Sequence, residues 1–393
     1  MISQPIAAPP PAHRQTGRAL LPLALFCLGH FFVDLYSGAL GILQPLLAER
    51  FGLTFTHAGI LGGMMVFSSS TLQPLYGYLS DRYHSRLYAA LAPAIAGIFI
   101  SAVGWSPSYG GLLLLVFLAG TGIAAFHPQG ASNAVAGVRS HRGRAMAIFI
   151  CAGSMGFACG PAYFSAVASL GGLDALPFAA VPGILTTLAM LALLPPPVER
   201  PRGTGRFDWA PLKAVWKPMT VLYFLVFLRS VVQITFTQFL PLFLRTERGY
   251  TLGAASLSLT VYLLGGTFGG LAGGSLADRF GGRRIIIVSM IGSVPFLALF
   301  LLTTGPLSAA GLFAGGLMLL FTLPVNVIMA QELAPTQSGT VSALMMGFAW
   351  GTAGMIFIPL MGWFADVFSM QAAFTTLLVF PLIGFVLALR LPR

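Results

Sequence analysis

The chain has 393 residues, 56% of them hydrophobic and 8% charged, and its mean hydropathy is +0.86. Soluble domains carry about 25% charged residues, so a soluble fold is excluded and a polytopic membrane protein embedded in the lipid bilayer is expected. The net charge of +11 points to membrane orientation rather than nucleic acid, because the basic residues lie in short loops between apolar runs.

Residues 1–19 form a Pro-rich tail, and the apolar run that follows is too long for a signal-peptide core. A span needs about 20 apolar residues. Twelve such runs are expected, at 20–47, 57–80, 87–105, 110–137, 144–169, 175–194, 218–244, 254–277, 285–303, 307–332, 339–364 and 371–391. The polar stretch 195–217 separates a first half, 20–194, from a second, 218–393. Nearly all Lys and Arg residues fall in alternate loops, with the tail and the linker. The exceptions are Arg50, Arg245 and Arg248 on the other side and Arg229 inside a run. Both termini are therefore expected in the cytoplasm of a bacterial-type inner membrane.

The first run contains GHFFVDLYSG, in which His30 and Asp34 stand four apart. That spacing puts them on one helix face. An ionisable group inside a membrane span is costly and is functional by default. Burial and a nearby cation push a carboxyl's proton affinity in opposite directions, so Asp34 is expected to load and release protons, with His30 as partner. His127 precedes Pro128 in the fourth run. It can share that proton or cap a carbonyl freed at the kink. Arg229 keeps its charge and needs an anion, either Asp34 or a substrate. Buried amides at Gln129, Asn133, Gln233 and Asn326 suit a polar ligand, and Tyr36 and Phe126 are candidate cavity aromatics.

The chain repeats itself. GYLSDRYHSR begins at Gly77, and GSLADRFGGRR begins at Gly274. Asp81, Arg82 and Arg86 superpose on Asp278, Arg279 and Arg283, 197 residues on. FHP at 126–128 matches TLP at 322–324, 196 residues on. A duplicated six-span unit gives parallel repeats.

This duplicated loop resembles the signature of the major facilitator superfamily. The resemblance implies an all-α fold of twelve transmembrane helices in two pseudo-symmetric halves. It also implies a cytoplasmic gate at Gly77, Asp81, Arg82, Arg86, Gly274, Asp278, Arg279 and Arg283, with each Asp paired to an arginine. Arg142, Arg144 and Glu332 are expected to join it. GSMGFACGP, with Gly153, Gly156, Gly160 and Pro161, is similar to the fifth-span motif of the superfamily's proton antiporters. GHFFVDLYSGALGILQPLL, AAFHPQGAS and FLRSVV resemble the fosmidomycin-resistance branch of drug exporters.

The expectation is a monomeric, proton-coupled secondary transporter. It exports a small anionic or zwitterionic compound, or, as the alternative, imports an organic acid or sugar. No enzymatic activity is expected. No nucleotide-binding stretch occurs. Cys27, Cys151 and Cys159 have no metal-ligand spacing, and neither metal nor cofactor is expected.

Overall fold

In a computed structural model, residues 13–83, 85–136, 138, 142–195 and 210–391 are described. The side chains of Asp81 and Arg142, and most of the tail and linker, lie outside the described residues. Among the described residues every element is a helix or a helical turn. In hydrocarbon each backbone N–H and C=O must find its partner within the protein, and helices do this locally.

Among the described residues, ten runs are long and apolar enough to cross a membrane. One of them, Gly143–Leu193, has 51 residues and contains two spans joined by the 3-10 turn Gly172–Ala180. The second span, 55–83, has a polar centre and completes twelve. Most helices run a few residues past their expected ends. The first begins at His13 and the seventh is Trp216–Arg248.

Several spans are broken. Helices His13–Ser37 and Ala39–Phe51 make the first. They meet at Gly38, where a Cβ would lie 2.6 Å from the Phe157 carbonyl. The second span carries a π-helical stretch, Phe67–Thr71, and the eleventh another, Ala343–Phe348. A Cβ on Gly351, just beyond the latter, would meet Thr71 Oγ1 at 3.2 Å, so the two irregular segments lie close across the boundary between the halves.

The two repeats pack alike. A Cβ on Gly77 would sit 3.8 Å from Pro128, and one on Gly274 would sit 3.8 Å from Pro324. The glycine of each duplicated loop thus rests on the proline of its own half's fourth helix.

At the end away from the termini the halves are joined tightly. Gln44 Nε2 donates to Gln238 Oε1 at 3.2 Å. Asp366, near the end of the eleventh span, accepts from Phe55 N at 2.9 Å, Thr56 N at 2.8 Å and Thr56 Oγ1 at 2.5 Å. These amides belong to the first turn of helix Phe55–Val66, so a carboxylate from one half caps a helix of the other.

Candidate functional site

Within the first half, Asp34 sits between two imidazoles. Its Oδ2 lies 3.3 Å from His30 Nε2 and its Oδ1 lies 3.3 Å from His127 Nε2. The helical spacing of His30 and Asp34 makes the first contact, and the fourth span, Tyr109–Ala134, brings the second. The other nitrogen of each ring is held as well. His30 Nδ1 donates to the Phe149 carbonyl at 2.8 Å, and His127 Nδ1 to the Ile123 carbonyl at 2.9 Å. The His30 ring stacks on Phe149, with centroids 4.2 Å apart. The donor atoms of the three residues lie within 4.8 Å of one another, a spacing that suits shared protons and that a small cation also accepts.

The fifth span, Arg142–Gly171, closes over this cluster with its glycines. A Cβ on Gly153 would collide with the His30 ring and lie 2.7 Å from Asp34 Oδ2. Gly156 and Gly160 lie against the carbonyls of Phe31 and Leu35. The motif is a flat seat for the first span, and its first glycine sits at the ionisable cluster.

Arg229 stands in the second half and is 5% exposed. Of the two anions expected for it, Asp34 or a substrate, Asp34 does not pair with it. Arg229 donates from Nη1 to Gln233 Oε1 at 2.6 Å and from Nη2 to Ser230 Oγ at 3.2 Å, so its near partners are neutral neighbours on its own helix. Its Nε has no hydrogen-bond partner. Among the described residues no carboxylate pairs with it; the ion pairs there are Arg50–Asp174 and the two contacts of Asp34. The buried Tyr262 hydroxyl is within electrostatic reach of this guanidinium and also lacks a partner, as do both amide atoms of Asn326.

Three expected ligand contacts are corrected. Tyr36 is fully buried and ties the first span to the turn before the sixth, donating to the Ala179 carbonyl at 3.0 Å and accepting from Gly183 N at 2.8 Å. Gln129 spends its amide on Ala89 N, Ser80 Oγ and the Ser85 carbonyl. Phe126 is fully buried and packs behind His30 rather than facing a cavity. Asn133 is half-buried at the end of the fourth span.

The gate arginines also differ from expectation. Arg86 bonds the Leu194 carbonyl and Arg283 the Leu389 carbonyl, each within its own half. Arg82 reaches the Tyr78 hydroxyl, and Arg279 lies 5.2 Å over the Phe280 ring. Asp278 is exposed and makes no ion pair among the described residues. Glu332 is exposed and, instead of pairing with exposed Arg144, lines a cavity of about 670 Å³ with Arg283 and Arg284. The pairs expected from the motif need both partners in reach, and here Arg86 and Arg283 are held by carbonyls of their own half.

A small cavity of about 30 Å³ lies between the halves, lined by Ser69, Ser70 and Phe157 from the first and Thr237, Gln238 and Trp350 from the second. The indole Nε1 of Trp350 is buried without a partner. Trp350, Tyr262 and Asp366 escaped sequence reasoning. An aromatic in an apolar span and an acid at a span's end carry no local signal of their partners.

Twelve membrane-spanning helices in two like halves, several of them broken, with ionisable residues held inside each half, define a secondary membrane transporter. The sequence profile of the Major Facilitator Superfamily matches residues 26–348 and 222–393, and the chain belongs to that superfamily. It is 30% identical to an uncharacterized MFS-type transporter, YfnC, of Bacillus subtilis, over 96% of this chain and 95% of that one. It is 26% identical to the fosmidomycin resistance protein of Escherichia coli, over 97% and 95%. Among solved structures, a bacterial homologue of the lysosomal transporter Spinster superposes with a TM-score of 0.80 at 15% identity, over 98% of this chain and 97% of that one. A mutant form of the nucleoside transporter NupG superposes with a TM-score of 0.79 at 14% identity, over 95% and 100%. The relatives are transporters, not enzymes.

Proposed function

We propose that the protein is a monomeric, proton-coupled antiporter that exports a small organic anion or zwitterion by alternating access. It would sit in the inner membrane with both termini cytoplasmic. The observation that carries the reading is Arg229, a buried cation with no carboxylate among the described residues. A buried charge without a partner costs several kcal/mol, and an anionic substrate supplies the missing charge. Gln233, Tyr262 and Asn326 offer polar contacts from three spans. The His30–Asp34–His127 cluster is the proton site. The seating of Gly153 of the fifth-span motif on that cluster and the likeness to a fosmidomycin resistance protein support export.

One observation favours the alternative, a proton-coupled importer. Asp34 does not pair with Arg229, so an anion bound at Arg229 does not displace Asp34 and instead attracts protons to the cluster. The two readings predict opposite proton movements. Purified protein in liposomes with a pH-sensitive dye inside would be given fosmidomycin and a panel of organic anions. Anion entry alkalinises the lumen under antiport and acidifies it under symport. Loss of the response in Arg229→Ala supports the site. A response carried only by neutral or cationic compounds, unaffected by that substitution, overturns it.

A further inference from the structure

The hydrogen bonds of the ionisable cluster fix how many protons it needs. A carbonyl oxygen only accepts. The Phe149 and Ile123 carbonyls therefore place a hydrogen on Nδ1 of both His30 and His127. In its neutral form each ring then turns a bare Nε2 lone pair on a carboxylate oxygen 3.3 Å away. Two acceptors facing each other at that distance, inside a membrane protein, are unfavourable at both contacts.

Protonating Asp34 mends one contact, because a carboxylic acid has a single O–H. One imidazolium also mends one. Two protons, one on each Nε2, mend both and leave an anionic carboxylate accepting from two charged donors, the strong form of the bond. Among the described residues no other charged group competes: His30 of the first span and His127 of the fourth act on the carboxylate. The fifth span meets it with Gly153, which has no side chain. Arg229 of the seventh is turned to Gln233 and Ser230.

We propose that the cluster carries two protons per transport cycle, held on Nε2 of His30 and Nε2 of His127, with Asp34 as the fixed anion between them. Each step forms or breaks one N–H bond with water on the open side, and nothing is oxidised or reduced. The inference rests on the proton-coupled reading above but not on its direction. It makes Asp34 the anchor and the two histidines the carriers. Gly153 is a positioning residue, since only a residue without a Cβ leaves room for the His30–Asp34 contact.

The test is the ratio of protons to anion moved in dye-loaded liposomes, using the anion from the panel that gives the largest response. Two protons per anion are expected for the wild type, falling to one in His127→Gln and in His30→Gln. One proton per anion in the wild type overturns this inference and leaves proton coupling standing. An unchanged count of two in both variants also overturns it. No proton movement with any anion overturns the coupled reading itself, and this inference with it. If both variants fail to transport, the wild-type count decides alone.

Discussion

Gly153 lies directly against the imidazole of His30 and leaves no room for even a single methyl group. Alanine is a better helix former than glycine by roughly 1 kcal/mol, so on helix propensity alone Gly153→Ala would be neutral or stabilising. Its Cβ, however, would collide with His30 and crowd Asp34 Oδ2. We expect this variant to fold and insert normally, to keep anion binding, and to lose proton-coupled transport at least tenfold. Proton flux in liposomes beside a binding assay on the same sample checks this. Wild-type flux would show that the glycine serves packing alone.

Asp366 and Thr56 hold the halves together at the end away from the termini. Substituting Asp366 with Ala removes three hydrogen bonds to the first turn of helix Phe55–Val66, a cap of about 1–2 kcal/mol. The state closed at that end should lose about that much relative to the open one. A cysteine placed at Thr237, beside Gly41, should then react several-fold faster with a membrane-impermeant thiol reagent added outside. Unchanged labelling would show that Gln44–Gln238 and the glycine contacts suffice.

Tyr36 gives a contrasting case. Its hydroxyl joins the first span to Ala179 and Gly183, and Phe in its place leaves Gly183 N without that acceptor. The expected cost is about 1–3 kcal/mol, seen as a lower unfolding temperature in detergent, while the proton-to-anion ratio stays as in the wild type. A changed ratio at normal stability would place Tyr36 in the transport site.

The sequence shows the spans and their duplication because membrane spans are written locally, in length and hydropathy. The repeat even matches Gly77 to Gly274 and, one residue out of step, Pro128 to Pro324, pairs that pack alike in the two halves. His30 and Asp34 are legible because helical spacing brings them together. His127 is a candidate on sequence, but its contact with Asp34 depends on how the fourth span packs on the first. The partner of Arg229 is illegible for the same reason. At the repeat offset Arg229 falls near residue 32, between His30 and Asp34, but its side chain bonds Gln233, one turn along its own helix. Tyr36 and Gln129 pass for ligand contacts because a polar group in an apolar span looks alike whether it meets a substrate or a neighbouring helix.

Arginine and lysine at position 229 should differ. Arg229→Lys keeps the charge but loses the planar donor fork and the bond from Nη2 to Ser230. We expect it to retain some anion-coupled flux with at least tenfold weaker anion affinity, whereas Arg229→Ala retains none. Equal loss in both would make geometry, not charge, the requirement.

Coupling of anion movement to protons at the His30–Asp34–His127 cluster is tested most directly by the anion-driven pH change in dye-loaded liposomes. Wild-type protein should alkalinise the lumen as the anion enters, and Asp34→Asn should bind the anion yet produce no pH change. Full gradient-driven activity in Asp34→Asn would contradict the account.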